Sequence, residues 1–455
     1  MKPFIIITLI ISYNVISANI CADCVCRDNV QDNQDYLGEN VDCSYYNGSA
    51  NIFRTNFSLP SVVYSLDLSS NNITQLEASN ILKSTTLIEL SLDNNAIKEI
   101  RTKILRFPRL KWLDLSHNRL EYIDKEAFRG VNKLEYLNLA NNRLTTHENV
   151  GFHRLSNLNE LVLDNNVLGP DLMDTSLFDR EGFGLTHKIQ SLSISGLHLN
   201  EVPDNFFSDA YDIRTLIISH NNLTDTFEFP FTLEYLDLSD NPITEISEED
   251  FSELPGLKVL KLNNLRIKEV PEYVFAPLHG LEHLELERNK NLTVFSSLAF
   301  GQEVLDDPDY FVLEKLSLKG SRLSKLEKDL AVPFGQLNLL DLQGNPWKCD
   351  CELTWLKTLQ IQPEYYEHLR CGSPKPFYNS KIFELDSKYF SCTLTVHHIG
   401  LVIAVIAFCV CLASIAIWLF VYVPKYQSRG GFITHMYTAP TAAYTMLPMN
   451  SPGNN

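Results

Sequence analysis

The 455-residue chain has little positive charge and none of the common catalytic motifs. Lys and Arg number 38 against 56 Asp and Glu, so the formal net charge is −18. An acidic surface repels polyanions, which argues against nucleic acid as a partner and leaves proteins and basic ligands. The sequence contains no H-E-x-x-H, no P-loop, no Gly-rich dinucleotide-binding turn and no G-x-S-x-G. We therefore predict a protein that is not an enzyme and that uses no cofactor or metal.

Charge is also absent from one long segment, residues 399–423. A helix needs about 20 apolar residues to cross a bilayer, and this run is longer. Trp418 and Tyr422 lie near its end, where interfacial aromatic residues are common, and Lys425 and Arg429 follow directly. The sequence predicts a transmembrane helix over 399–423 with its C-terminal side in the cytoplasm.

The N-terminus predicts secretion. Lys2 precedes an apolar run at 4–11, and small residues at 17–18 suit cleavage near Ala18, so residues 1–18 are interpreted as a signal peptide. Together with the predicted span, this indicates a single-pass type I protein of the plasma membrane. Its cytoplasmic tail would be residues 424–455.

Between the two ends, the pattern L-x-x-L-x-L-x-x-N-x-L or a close variant occurs twelve times. The L-x-L part predicts a short strand, because alternation places both leucines on one face. One strand cannot bury that face alone, so the copies must stack into a continuous core. The first leucine of each pair lies at position 66, 90, 113, 137, 161, 192, 216, 236, 260, 284, 316 and 340.

Two further columns keep register with the leucines. The amide of an Asn five residues after the first strand Leu can satisfy backbone groups of the following turn. We expect looser turns, without a break in the stack, where Leu197, Leu265 and Ser321 replace it. The asparagines are Asn71, Asn95, Asn118, Asn142, Asn166, Asn221, Asn241, Asn289 and Asn345. A stacked apolar spine on the convex side is predicted from Ile81, Leu105, Phe128, Phe152, Phe207, Phe251, Phe275 and Phe300.

Cysteines flank the repeats at both ends. The first group reads Cys21-x-x-Cys24-x-Cys26, followed by Cys43 and a Leu-Pro pair, and the second begins Asn-Pro-Trp-x-Cys349-x-Cys. With a repeat period near 24, these motifs resemble the extracellular leucine-rich-repeat proteins with cysteine-rich caps and a single membrane span. The resemblance implies an α/β-type solenoid, that is, a leucine-rich-repeat horseshoe with a parallel concave β-sheet, disulfide caps and one transmembrane helix.

The same resemblance implies how the cap cysteines pair. Eight cysteines around a repeat array in a secreted chain also favour disulfides on general grounds, with zinc binding as the alternative that spacing alone leaves open. The domains expected are an N-terminal cap at 19–60, twelve repeats at 61–345 and a C-terminal cap at 346–393. The implied pairs are Cys21–Cys26, Cys24–Cys43, Cys349–Cys371 and Cys351–Cys392.

The exposed strand positions of the third to fifth repeats form the candidate ligand site. Trp112 and Tyr136 occupy one column on adjacent strands, roughly 5 Å apart. An aromatic centre with a charged rim is typical of protein-binding hot spots, and the alternative is that the two rings only stack on each other. The candidate contact residues are Trp112, Asp114, Tyr136, Glu160, Val162 and Asp164.

The two insertions, a tail motif and several glycosylation sequons suggest further functional hypotheses. Acidic or turn-rich insertions of about eight residues at 169–188 and 301–312 are interpreted as surface loops, with ligand binding as the alternative. Tyr444-Thr-Met-Leu447 matches a tyrosine-based endocytic signal, which predicts contact with a clathrin adaptor and endosomal cycling. Glycosylation is predicted at Asn47, Asn56, Asn72, Asn222 and Asn291.

These features favour a cell-surface protein that binds another protein through its concave face, in adhesion or as a ligand-binding co-receptor. One alternative is an innate immune recognition receptor that signals through an associated subunit. The other alternative is a trafficking or sorting scaffold.

Overall fold

A computed structural model describes residues 18–30, 36–46, 57–76, 83–150, 152–173, 176–179, 183–390 and 396–422. The chain divides into two compact units, Met1–Ser391 and Cys392–Asn455. Each unit is described by itself.

In the described part of the first unit, fourteen strands form one sheet, in the same order as in the chain. The first two strands are antiparallel, and every later neighbouring pair is parallel. The strands are Val25–Val30, Tyr36–Asp42, Val63–Asp67, Glu89–Ser91, Trp112–Asp114, Tyr136–Asn138, Glu160–Val162, Ser191–Ser193, Thr215–Ile217, Tyr235–Asp237, Val259–Lys261, His283–Glu285, Lys315–Ser317 and Leu339–Asp341. The last twelve are the twelve strands predicted from the leucines, so the predicted solenoid fold is confirmed.

The strand leucines stack in register along the whole sheet. Leu66 lies opposite Leu90, which lies opposite Leu113, and this continues until Leu316 lies opposite Leu340. All twelve are at most 3% exposed. Burying a Leu side chain contributes about 1.5–3 kcal/mol, so this column is a large part of the core.

The predicted asparagine column joins each turn to the preceding repeat. Asn118 Nδ2 donates to the carbonyls of Leu115 at 3.1 Å and Ser116 at 3.1 Å in its own turn, and to Leu92 of the preceding repeat at 2.9 Å. Its Oδ1 accepts a hydrogen bond from the N–H of Ile97 at 3.0 Å. Equivalent contacts are made by Asn95, Asn142, Asn221, Asn241 and Asn345.

The stack continues without a break where the asparagine is replaced. Leu197 and Leu265 are buried, and their backbone N–H groups donate to Oδ1 of the asparagine in the next repeat, at 3.0 and 2.6 Å. Ser321 Oγ donates to the Leu286 carbonyl at 3.2 Å, which supplies part of the missing amide's contacts. These bonds join each substituted turn to a neighbouring repeat.

Phenylalanines form the predicted second spine. Phe251 lies 6.2 Å from Phe275, and Phe275 lies 5.5 Å from Phe300, measured between ring centroids. These rings are 9% exposed or less, as are Leu105, Phe128, Phe152 and Phe207 of the same column. Ile81 lies outside the described residues.

Disulfides hold both ends of the array. The structure pairs Cys21 with Cys26, Cys24 with Cys43 and Cys349 with Cys371, as the resemblance implied. Cys351 is also disulfide-bonded, while Cys392 lies outside the described residues, so that fourth pair stays a prediction. The zinc alternative fails for the paired cysteines, because a disulfide sulfur is not the thiolate that zinc binds.

Short elements connect the strands. Two-stranded parallel pairs are formed by Ala18–Asn19 with Phe57–Ser58, Glu99–Ile100 with Tyr122–Ile123, Glu269–Val270 with Val294–Phe295, and Trp347–Lys348 with Cys371–Ser373. Helical turns are Ile20–Ala22, Ala127–Gly130, His147–Asn149, Gly169–Leu172, Glu248–Phe251, Glu303–Asp306, Pro308–Tyr310, Lys328–Leu330, Ala331–Phe334, Cys351–Thr358, Pro363–Tyr365, Lys375–Phe377 and Ser387–Tyr389.

The described part of the second unit is one helix. It runs over Val396–Ile417 and continues as a π-helical turn over Trp418–Tyr422. Its segment Gly400–Val421 is long and apolar enough to cross a membrane, in agreement with the span expected at 399–423. Ser414 Oγ donates to the Val410 carbonyl at 2.8 Å, so this hydroxyl has a partner within the helix.

We predict that Asn118→Ala destabilises the array by about 3 kcal/mol, because it leaves several buried backbone groups without a hydrogen-bond partner. The free energy of unfolding, measured by urea denaturation, gives the change. Asn132→Ala, at an exposed position, serves as the control and is expected to change stability by less than about 0.5 kcal/mol. Equal stability of the two variants would contradict the role of the asparagine column.

Candidate functional site

On each strand, the residues on either side of the first leucine of the L-x-L pair point away from the leucine core. In three successive strands both of these flanking residues are half-buried, while the leucine between them is buried. We call this side of the sheet the open face; it is the concave side in leucine-rich-repeat folds. Five of the six candidate contact residues occupy such positions, namely Trp112, Asp114, Tyr136, Glu160 and Val162, and Asp164 lies two residues after the last of these strands. Their contact with a ligand stays a prediction.

Trp112 and Tyr136 form the aromatic centre of the open face. Their Cα atoms are direct partners across adjacent strands. The ring centroids are 5.2 Å apart and the ring planes differ by 8°. The rings therefore stack on each other, as one alternative from the sequence expects. They also remain half-exposed, as a protein-binding hot spot requires. Each ring stiffens its neighbour, so the pair offers an ordered apolar surface at low entropic cost.

Carboxylates flank this pair along the same column. Glu89 is the strand partner of Trp112, and Glu160 is the strand partner of Tyr136. The carboxylate of Glu160 has no hydrogen bond or ion pair with any residue that the structure describes, and partial burial raises its pKa. Burial, together with the charges of Asp114 and Glu160, raises the pKa of Tyr136 to about 12. Tyr136 therefore remains a neutral phenol beside two carboxylates.

Asp114 and Asp164 both accept hydrogen bonds from neighbouring residues. Asp114 accepts hydrogen bonds from the N–H of Ser116 at 2.7 Å and from Asn138 Nδ2 at 3.1 Å. Asp164 Oδ1 accepts from Ser193 Oγ at 2.7 Å and from the N–H of Ser195 at 2.9 Å. Burial raises the pKa of Asp164 against the effect of these bonds. Of the six candidates, these two already have structural roles.

A second cluster on the open face was not predicted from the sequence. Lys261 Nζ lies 5.9 Å from the centre of the Tyr235 ring and 3.4 Å from Glu285. Glu285 also contacts His283 Nε2 at 3.2 Å and accepts a hydrogen bond from Asn263 Nδ2 at 2.8 Å. Mainly through the bond to His283, these partners lower the pKa of Glu285 to about 2. Extending the reading of strand positions to Val259–Lys261 and His283–Glu285 would have found the cluster.

The two insertions pack against the array rather than extending from it. In the first, Leu172, Leu177 and Phe183 are buried, and Asp171 contacts His147 Nδ1 at 2.6 Å. In the second, at 301–312, Val304 and Phe311 are buried, whereas Leu305 is half-buried and Tyr310 and Val312 are exposed. The insertions are ordered surface elements wherever the structure describes them.

Modification and sorting residues lie off the open face or outside the described chain. Asn72, Asn222 and Asn291 are exposed, so their side chains are accessible to glycosylation. Four predicted residues lie outside the described ranges and stay predictions, namely Asn47, Asn56, Tyr444 and Leu447.

Comparisons with known proteins agree with this architecture. A leucine-rich-repeat family model matches residues 61–120, 108–168 and 231–290. Tsukushi of Gallus gallus is 29% identical over 288 residues, covering 62% of this chain and 67% of that protein. Trophoblast glycoprotein of Macaca fascicularis is 25% identical over 342 residues, covering 73% of this chain and 61% of that protein. Rat chondroadherin is 33% identical over 111 residues, and the chain spans only 27% of its length.

Two solved structures share the fold. One is a chain of the octameric complex of Latrophilin 3, Unc5D and FLRT2, with 20% identity, 83% of this chain and 100% of that chain covered, and a TM-score of 0.53. The other is from the mouse RP105/MD-1 complex, with 21% identity, 73% and 54% coverage, and a TM-score of 0.58.

This chain has a leucine-rich-repeat fold, as the repeat pattern and the sheet show, and the leucine-rich-repeat family model matches three segments of its array. It carries disulfides at both ends of the array and one helix that is apolar enough to span a membrane. The leucine-rich-repeat proteins that this chain resembles are binding and receptor proteins, in agreement with the expectation that the chain is not an enzyme.

The Glu285 cluster predicts a specific dependence of stability on pH. Because the pKa falls from its ordinary value of 4.5 to about 2 on folding, the stabilisation is complete above pH 4.5 and is lost as the pH falls towards 2. The difference in unfolding free energy between wild type and Glu285→Gln should therefore shrink over this range. Urea denaturation of both proteins at a series of pH values measures it. A difference that is constant down to pH 2 would show that the carboxylate is not stabilised by folding.

Proposed function

We propose that this protein stands on the cell surface and binds another protein through the open face of its sheet, in adhesion or as a ligand-binding co-receptor. The observation that carries the proposal is the stacked pair Trp112 and Tyr136, beside which the carboxylate of Glu160 has no partner among the described residues. Ordered aromatic rings with a charged rim are the usual composition of a protein-binding hot spot.

The chemistry of the site supports a partner with basic groups. Glu160 is half-buried and its raised pKa reflects the cost of leaving a carboxylate there without a cation. A Lys or Arg side chain of a partner would remove that cost and would also contact the neighbouring Tyr136 ring. Val162, on the strand of Glu160, adds an apolar contact beside it.

Two independent features support an extracellular location of the repeats. Disulfides persist in oxidising compartments, and the described cap cysteines are paired. The apolar helix follows the array in the chain, and basic residues follow the helix. The positive-inside rule then orients the array outside the cell.

Known complexes with this fold supply a precedent for the mode of action. FLRT2 is found assembled with Latrophilin 3 and Unc5D, and RP105 with MD-1. These likenesses concern the fold at about one-fifth sequence identity, so we carry over only the use of a repeat surface to bind a protein.

We predict that Trp112→Ala weakens partner binding by about 1–2 kcal/mol, which is a factor of about 5–30. The stability should change little, because the ring lies outside the leucine core. Titration of a dimerised extracellular region on cells that display the partner gives the concentration for half-maximal binding, and thermal unfolding checks the fold. Tyr136→Ala is expected to give the same result.

Tyr122→Ala is the matched control, because Tyr122 is an aromatic residue that is 41% exposed but lies off the main sheet. It should bind as wild type does. If both open-face variants also bind normally, the aromatic pair is not the contact site. Aggregation of cells that express the full chain, compared with cells that do not, then separates adhesion from a co-receptor role.

We also propose that the tail sorts the protein to endosomes through Tyr444 and Leu447. In an extended peptide these side chains reach separate pockets of an adaptor, and Pro440 and Pro448 disfavour a helix around them. Tyr444→Ala is expected to slow internalisation and raise the surface pool, while the control Tyr437→Ala should not. Antibody uptake by expressing cells measures both. Equal uptake by wild type and Tyr444→Ala would show that the motif is a chance match.

A further inference from the structure

The two insertions differ in the solvent exposure of their apolar side chains. The insertion at 169–188 buries Leu172, Leu177, Phe178, Phe183 and Leu185, each 6% exposed or less. The insertion at 301–312 instead leaves Tyr310 66% exposed and Val312 47% exposed. Large apolar side chains held at a surface by an ordered segment indicate a contact region when they adjoin a cavity.

Such a cavity lies directly beneath the second insertion. It has a volume of about 280 Å³ and lies between the phenylalanine spine and the inserted turns. Its inner wall is apolar and is formed by Phe275, Leu278, Leu281 and Phe300, all 9% exposed or less. Tyr310 and Val312 line it from the insertion side. The cavity therefore continues into the exposed apolar pair.

The rim of the cavity is polar and acidic. His279 and Glu303 are exposed lining residues, and Asp306, Asp307 and Asp309 of the same insertion are exposed as well. The insertion begins at Gly301, whose φ of +94° suits glycine, and the backbone of Gly301 lies close both to Glu303 and to Ala276 in the wall. The cavity therefore has an apolar inner wall and one carboxylate, Glu303, in its lining, and further carboxylates lie on the exposed surface of the same insertion.

Size and charge together select the occupant. A volume near 280 Å³ is at the lower limit of pockets for drug-sized ligands, so it suits one ring-sized group rather than a long molecule. An acidic rim favours an occupant that carries positive charge next to the ring. A protein segment with a large aromatic side chain between basic residues meets both conditions.

We propose that this cavity is a second protein-binding site, which receives one bulky aromatic side chain from a basic segment of a partner. It is separate from the open face, because its lining residues lie at 275–281 and 300–313, outside the neighbouring strands His283–Glu285 and Lys315–Ser317. A partner seated on the open face and one seated here would therefore use different surfaces of the array.

The test uses the full chain in lipid nanodiscs and the peptide acetyl-Arg-Trp-Arg-amide as the probe. Saturation-transfer NMR measures its affinity, with acetyl-Arg-Ala-Arg-amide, acetyl-Glu-Trp-Glu-amide and octanoate as comparison ligands. Ala276→Leu places a larger side chain into the cavity wall, and Ala331→Leu makes the same change at a half-buried alanine outside the cavity. Thermal unfolding verifies that both variants fold.

The proposal expects saturable, millimolar binding of the Arg-Trp-Arg peptide, weakened about tenfold by Ala276→Leu and unchanged by Ala331→Leu. It also expects weaker binding of both comparison peptides, and no effect of Trp112→Ala. Three results would overturn it: no saturable binding by wild type, equal binding by the Ala276→Leu variant, or equal binding of the alanine or glutamate peptide. Octanoate binding without peptide binding would assign the cavity to a lipid chain and would also overturn the proposal. None of these results bears on binding at the open face.

Discussion

Everything in this array depends on how the backbone of each turn is satisfied. A strand of three residues contributes few hydrogen bonds, and the turn that follows leaves carbonyls and N–H groups inside the stack. Asn118 satisfies four such groups, in its own turn and in the preceding repeat. Repetition of this contact keeps neighbouring strands in one register and lets the leucines form a continuous column. Where the amide is missing, as at Leu197, the asparagine of the next repeat still accepts a hydrogen bond from the backbone N–H of the turn.

A fixed register has a direct consequence for binding. Each position of the repeat becomes a column on the open face, so residues that are 24 positions apart in sequence lie side by side. Trp112 and Tyr136 stack for this reason, and the cluster around Glu285 assembles from three successive repeats in the same way. The core sets the spacing, and the variable strand positions set the chemistry. Such a surface is rigid before the partner arrives, which reduces the entropic cost of association.

The sequence predicts most of this fold because its signals are periodic. The leucine and asparagine positions placed twelve strands in register, and the flanking motifs implied three disulfide pairs that the structure contains. The site was predicted less completely. Asp114 and Asp164 accept hydrogen bonds from residues of neighbouring repeats. The sequence shows that these residues are charged, but it does not show that their carboxylate oxygens already have partners. The cavity under 301–312 is still harder to predict from the sequence, because the backbone path of an insertion is not determined by the repeat pattern.

The open face is the proposed protein-binding site, and a sugar placed on that face tests this claim. Ala140→Thr converts the segment beginning at Asn138 into a glycosylation sequon beside Trp112 and Tyr136, and a hydroxyl suits this position because other repeats carry Ser there. Val202→Thr creates a sequon at exposed Asn200, off the sheet, as the control. Once a mobility shift shows that each sugar is attached, binding of the extracellular region to partner-bearing cells should be lost only for Ala140→Thr. Full binding by the glycosylated Ala140→Thr protein would contradict the claim.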